Sequence, residues 1–193
     1  IVTEDGADVA AGEPGELLVR TRGPDPRLGF FSGYYKDPAA TAEAWADGWF
    51  HTGDVVRTGP DGSFHFVDRR KNIIRRSGEN IAAVEVEGAL LQHPAVRNCA
   101  VAPVADELRG EEVMACVVLQ DGVSADAATA DGIFALALEK LAYYKAPGWL
   151  AFVPALPTTP TQKVQRGEMK ALCQGLIERG AALDLRSRKK RSH

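Results

Sequence analysis

The sequence predicts an α+β protein in two parts: a β-rich first third, then a small α+β domain built on a three-stranded sheet with helices and a β-hairpin. Three observations predict it. Short strand-like runs separated by Gly, Pro and Asp turns fill residues 15–67. From residue 83 onward, apolar positions at helical spacing alternate with apolar strand-like runs. A block of charge, Asp68-Arg69-Arg70-Lys71, lies between the two patterns.

In chain order, Gly15 to Arg20 reads as a strand after a Gly-Glu-Pro-Gly turn. Asp37-Pro38 opens a helix, with Asp as the cap and Pro in the first turn, and that helix stops near Asp47-Gly48. Asp54–Arg57 and Ser63–Val67 are two strands, and Gly59-Pro60-Asp61-Gly62 supplies the turn of a hairpin between them. Asn72–Arg76 reads as a strand and Ser77-Gly78-Glu79-Asn80 as a turn. A helix starts near Ala83 with Val84, Gly88 and Leu91 on one face, and His93-Pro94 ends it. Val96–Val104 and Val113–Leu119 are strands, with Val113, Ala115, Val117 and Leu119 alternating. A helix covers about Ala125 to Tyr143, a third strand Trp149–Val153, and a Pro/Thr loop Leu156–Thr161. The last helix presents Met169, Leu172, Cys173, Leu176 and Ile177 on one side and stops at Gly180. Arg186–Arg191 reads as a frayed, solvated basic end.

Composition narrows the function. The 193 residues are 45% apolar and 25% charged, the balance of a soluble globular chain. Lys and Arg number 23 against 26 Asp and Glu, a net charge of −3, which argues against a generic nucleic-acid binder. Cys99, Cys116 and Cys173 are widely spaced in apolar stretches and read as buried, reduced thiols, which points to a reducing, cytoplasmic setting. The four histidines form no metal-ligand spacing, so no metal site is assigned. No apolar run reaches the ~18 residues of a membrane span, and no signal peptide is recognisable. The chain begins at Ile1 and is expected to be a piece of something longer.

Four clusters carry chemistry. In Trp49-Phe50-His51-Thr52-Gly53-Asp54, a carboxylate after a Gly turn is placed to accept two hydroxyl hydrogens, as a ribose diol requires; a turn Asp capping local backbone has the same look. Asp68-Arg69-Arg70-Lys71-Asn72 suits a solvated linker or a hinge, and its Arg can reach a phosphate. Arg75-Arg76-Ser77-Gly78-Glu79-Asn80-Ile81 joins a tight Gly turn to cationic flanks, which favours anions, although an ordinary hairpin reads the same way. Pro157 to Arg166 puts Lys163 on a loop before a helix, where an ammonium can offset charge developing on a phosphate and a carboxylate.

In order and spacing these clusters resemble the C-terminal part of the adenylate-forming superfamily, in particular AMP-forming acyl-CoA synthetases. Gly15-Glu16-Leu17 through Gly33-Tyr34-Tyr35 to Thr41 is similar to one family motif, and Thr52-Gly53-Asp54 to the next. Asp68 to Asn72, with Ser77 to Ile81 and Glu85-Val86-Glu87, resembles the hinge motif; Pro160 to Arg166 resembles the lysine loop. Asp68 and Gln162 stand where the family often has Gly. Glu79-Asn80 and Asp106–Glu111 look like the CoA-ligase branch.

The resemblance implies an acid–thiol ligase using ATP, Mg²⁺ and CoA. A carboxylic acid is adenylated with loss of pyrophosphate, and CoA then displaces AMP. It implies that residues 1–68 are the last β subdomain of a large N-terminal domain, 69–72 a hinge, 73–180 a mobile C-terminal domain and 181–193 a basic tail. It implies that Asp54 holds the ribose hydroxyls, Arg69 the nucleotide, Lys163 the reacting anions and Lys71 the pivot. Ser77, Gly78, Glu79 and Asn80 would line the CoA tunnel. The family's phosphate loop, acyl pocket, adenine site and Mg²⁺-positioning acid lie upstream, so the chain by itself is expected to be inactive and to leave an apolar face of its first part exposed. Tyr143–Pro147 and the Thr-Gln-Lys form of the lysine loop point to general acyl-CoA ligases of fatty-acid or carnitine type. A carrier-protein thiol as acceptor, an inactive module that keeps the fold, and a nucleic-acid binder using the basic tail are the competing readings.

Overall fold

The computed structural model describes residues 1–189. The chain divides into two compact units, Ile1–Lys71 and Asn72 onward.

In the first unit an antiparallel sheet has the order β1 (Gly15–Val19), β2 (Phe50–Thr58), β3 (Phe64–Arg69). Helix α1 (Pro38–Ala44) starts as the sequence predicts: the Asp37 carboxylate accepts from the Ala40 amide at 2.9 Å, with Pro in the first turn. Trp45 is buried beside Phe30 and Phe50, with ring centroids 5.1 and 5.5 Å away. Phe64 and Phe66 project from β3 into solvent, on the kind of exposed apolar face expected for this part.

Two expectations need correction here. The strand carrying Thr52-Gly53-Asp54 starts at Phe50, so Asp54 lies inside β2 rather than at its beginning. The pairing of β1 with β2 shifts from Leu18↔His51 to Glu16↔Val55, so residues 52–54 form a bulge. The charge run, exposed at Arg69, Arg70 and Lys71, is also ordered rather than a loose linker. Asp68 is buried, Arg69 ends β3, and Arg70–Asn72 form one 3-10 turn.

The second unit is a six-stranded sheet, larger than the predicted three, with helices on both faces. β4 (Ile73–Arg76) and β5 (Glu79–Ala82) form a hairpin that joins the sheet where Arg76 meets Gly110. β6 (Val96–Asp106) runs antiparallel to the central β7 (Gly110–Leu119), and β8 (Trp149–Phe152) runs parallel to it. Parallel neighbours need a long crossover, which α3 (Ala127–Lys140) supplies, capped by Asp126. Helix α2 is Ala83–Leu90 and α4 is Arg166–Glu178.

β7 is covered on both faces, which is why its alternation is only half the pattern. Val113, Ala115 and Val117 meet α2 and α3 through Val86, Leu90, Ile133 and Phe134. Met114, Cys116 and Val118 meet α4 through Met169, Cys173 and Leu176. The predicted α4 face is therefore the buried one. The α2 face is not: Val84 and Leu91 are exposed, while Ala83, Val86, Ala89 and Leu90 face the core. The cysteines are buried and unlinked, with the Cys116 and Cys173 sulfurs 3.7 Å apart.

The basic end is not frayed as far as it is described; Lys190 and Arg191 of that predicted cluster lie outside the described residues. β9 (Leu183–Asp184) pairs with β8, and Leu185 is buried. Arg186 reaches Asp106 and Asp184 and lies over the Trp149 ring, 4.5 Å from its centroid. Lys189 ends inside the domain. Its amine donates to Glu112 Oε1 at 2.7 Å and to the Tyr144 carbonyl at 3.1 Å. Glu112 also holds Arg76 Nε, at 2.9 and 2.8 Å from its two oxygens.

Burial pushes the Lys189 amine down to about 8 against the pull of Glu112, with Arg76 and Arg109 also opposing its charge. An amine with a folded pKa of about 8 and a reference value of 10.5 is less protonated in the folded chain between those values. Stability therefore rises as pH climbs through that window, and the cost of the buried charge is fully present below it. Lys189→Met is expected to abolish that rise. Denaturant midpoints of both chains across the window check it, and a constant difference between them would contradict it.

Candidate functional site

In the first unit the register of β2 and β3 sets Asp54 directly opposite Arg69. Asp54 Oδ1 lies 2.9 Å from Arg69 Nε, off the line of a hydrogen bond, and accepts none from the described residues. Arg69 Nη1 donates to the Thr52 carbonyl at 3.0 Å. The bulge that presents Asp54 is held locally. Thr52 Oγ1 donates to the Leu17 carbonyl at 2.7 Å and accepts from the Asp54 amide at 3.0 Å. Gly53 takes φ +69°, where a side chain would strain the backbone.

Sequence reasoning missed the residue beneath this bulge. Glu16, largely buried, accepts from the Gly53 amide at 3.3 Å, meets His51 at 3.4 Å and receives Arg70 Nη1 at 3.0 Å. Its signal was the Gly15-Glu16-Leu17 run itself, which puts a carboxylate in a strand. Because Arg70 is tied to β1 in this way, Lys71 is the last residue of the first unit and is itself exposed. The carboxylate and guanidinium together offer acceptors and a cation on one strand pair, which suits a sugar diol joined to a phosphate.

In the second unit Ser77-Gly78 alone makes the turn of the β4–β5 hairpin. Their φ angles are +51° and +85°, the left-handed pair of a two-residue turn. Glu79 and Asn80, predicted in the turn, are instead the first residues of β5 and pair with Arg76 and Arg75. The tip is exposed, and the Ser77 amide donates to the Arg109 carbonyl at 2.9 Å.

Lys163 sits on a narrow hairpin before α4, not on a free loop. Thr158 and Val164 bridge, the Thr159 amide donates to the Lys163 carbonyl at 2.8 Å, and the Lys163 amide donates to Thr159 Oγ1 at 3.2 Å. Gln162 takes φ +64°, which explains the advantage of Gly at that position. The Lys163 side chain is exposed, and its amine makes no ion pair or hydrogen bond among the described residues. No hydrogen bond or ion pair among the described residues joins Lys163 to the Ser77–Asn80 segment.

Residues 85–163 match the family model of the AMP-binding enzyme C-terminal domain. Over those residues the chain belongs to the AMP-binding enzyme C-terminal domain family. A feruloyl-CoA synthase from an Amycolatopsis species is 43% identical to it over 165 residues, which is 86% of this chain and 32% of that protein. The 2-hydroxy-7-methoxy-5-methyl-1-naphthoate–CoA ligase of Streptomyces carzinostaticus is 41% identical over 180 residues, 92% of this chain and 31% of that one. Among solved structures, the o-succinylbenzoate CoA synthetase of Bacillus subtilis in complex with its acyl-adenylate intermediate matches with a TM-score of 0.74. It is 31% identical and covers 88% of this chain and 33% of that one. The chain thus spans about a third of the length of these relatives, and the likeness reaches across both of its units.

Among the described residues no three His, Cys, Asp or Glu side chains are grouped to hold a metal ion. No helix among the described residues is long and apolar enough to cross a membrane.

Proposed function

We propose that this chain is the C-terminal portion of an AMP-forming ligase that joins a carboxylic acid to CoA through an acyl-adenylate. One observation carries the reading: likeness at 41–43% identity to a feruloyl-CoA synthase and a naphthoate–CoA ligase, extending over 86–92% of the chain. In the first step the acid's carboxylate oxygen attacks the α-phosphorus of ATP and pyrophosphate leaves. In the second, the CoA thiolate attacks the acyl carbonyl carbon and AMP leaves.

Asp54 accepts the two ribose hydroxyls, using the oxygens that make no hydrogen bond within the first unit. Arg69, opposite it on β3, faces the nucleotide's phosphate end. Lys163 offsets the negative charge that accumulates as carboxylate and α-phosphate meet, a stabilisation aimed at the transition state. Lys71 is the pivot about which the second unit changes its role between steps, and the Ser77–Asn80 hairpin then faces the pantetheine arm. The enzyme works in the cytosol, where ATP and CoA are at hand.

The relatives' names include both aromatic acids (ferulate, a substituted naphthoate and succinylbenzoate) and the carnitine type that the sequence suggests, in the crotonobetaine/carnitine–CoA ligases at 35% identity. The two aromatic-acid enzymes stand at 41–43% identity, which favours an aromatic carboxylic acid as the substrate class. ATP–pyrophosphate exchange by the parent enzyme over a panel of aromatic and aliphatic acids, followed by thioester formation with CoA, tests the reading. Exchange driven by aromatic acids with thioester formed on CoA supports it. Exchange with no CoA product, but loading of a pantetheinylated carrier, would transfer the acceptor role to a protein. Absence of exchange with every acid would leave a fold without the activity.

A further inference from the structure

We propose that the Glu87–Arg166 pair positions Lys163 for adenylation, an inference that rests on the reading of Lys163 given above. Arg166 is the first residue of α4 and lies three positions after the lysine. Its two terminal nitrogens grip the Glu87 carboxylate of α2 side-on, Nη1 on Oε1 and Nη2 on Oε2 at 2.9 Å. Nη1 also donates to the Val101 carbonyl of β6 at 3.0 Å. Glu87 Oε1 in turn accepts from the Val101 amide at 2.8 Å. The pair is thus closed on both polar groups of one residue in the sheet. The fork geometry of a guanidinium fixes direction as well as distance.

The hairpin that bears Lys163 is stiff within itself, so its aim is decided where it is attached. One stem continues from buried Leu156 and the other runs straight into Arg166. Gln165 ties the stems together, with its amide on the Pro157 carbonyl at 2.9 Å and its Nε2 on the Thr158 carbonyl at 3.1 Å. Further along, α4 is held by Met169, Cys173 and Leu176 in the apolar layer. Those contacts keep the helix docked without help from Arg166, and Val164 beside the lysine packs against the same layer. Apolar packing is not directional, so the ion pair adds the hold that orients the first turn. A long lysine side chain multiplies a small tilt at its base, and a misplacement near 1 Å at a reacting centre costs about 10²-fold in rate.

Arg166 could instead be read as a ligand for an anionic substrate. Its fork is already filled by a carboxylate, and its side chain is 24% exposed, which favours a fixed internal role.

The test uses the parent enzyme and separates the two half-reactions. Arg166→Ala is expected to lower the kcat of pyrophosphate exchange by about 10²-fold with KM for ATP little changed. Arg166→Lys, which keeps the charge and loses the fork, is expected to recover part of that loss. Thioester formation from supplied acyl-adenylate, which does not use Lys163, is expected to change less than about threefold. In a Lys163→Ala background the Arg166→Ala change is expected to add nothing to exchange. Equal loss of both half-reactions, or exchange that stays within about twofold of the parent, would overturn the proposal. If Lys163→Ala alone leaves exchange intact, it is the role of Lys163 that falls. The anchor is then judged by amide hydrogen exchange at Thr159, Gln162 and Lys163, which loses protection in Arg166→Ala only if the pair holds the hairpin. Glu87→Gln replaces Arg166→Ala in every arm if that variant does not fold.

Discussion

Lys163→Ala in the parent enzyme is expected to lower pyrophosphate exchange by about 10²–10³-fold, the size of effect seen when one preorganised electrostatic donor is removed. The expectation follows from where the lysine stands. Its amine makes no ion pair or hydrogen bond among the described residues, so the substitution breaks no contact of the fold. An exposed truncation of this kind changes stability by no more than about 0.5 kcal/mol. The rate loss and the stability change therefore separate cleanly. Lys163→Arg is not a rescue, because a planar fork cannot replace a compact point charge between two anions. Thioester formation from preformed acyl-adenylate is expected to persist. Half-reaction assays on purified variants check this. Exchange unchanged by Lys163→Ala would remove the central residue of the proposed mechanism and favour a module that keeps the fold without the chemistry.

Much of the architecture was legible because its signals are local. The Asp37-Pro38 cap, the Gly59–Gly62 turn and the apolar face of α4 each depend on residues a few positions apart, and the structure has all three. What was not legible depends on distant partners. In α2 the pattern Val84, Gly88, Leu91 looks like a face, yet β6 and α3 select the opposite one through Val86 and Leu90. The bulge at Thr52–Asp54 cannot be read from β2 alone, since it exists only against Glu16 and Leu18 of β1. The same holds for the site. Asp54 and Arg69 are both singled out by their motifs, but their direct opposition is a matter of strand register. Glu16 beneath the bulge and the Glu87–Arg166 anchor were passed over because their chemistry lies in pairings 37 and 79 residues apart. Lys189 shows the limit most plainly. A lysine in a run of basic residues reads as solvated, and only a carboxylate 77 residues upstream makes its burial possible.

That carboxylate carries the largest expected effect on stability. Glu112 has no exposed surface and stands between Arg76 and Lys189, whose side chains are 3% and 1% exposed. It also accepts from the Val113 amide at 2.8 Å, and a Cβ at Gly148 would fall on its side chain, so it has no room to turn elsewhere. Glu112→Gln keeps the shape and removes the charge, which leaves two buried cations facing each other. Breaking a buried pair in this way costs about 3–5 kcal/mol, mostly from the charges left uncompensated. The loss is expected to fall first on the segment that Lys189 pins, so that amides of Leu183 and Leu185 exchange early while β6 and β7 hold. Joint replacement of Arg76, Glu112 and Lys189 by Met, Leu and Met is expected to regain much of the stability, because no charge is then buried. Denaturation of both variants and hydrogen exchange at the C-terminal strand measure this. Stability within about 0.5 kcal/mol of the parent for Glu112→Gln would show that the two cations find water without the carboxylate, and that the end of the chain is not locked by charge.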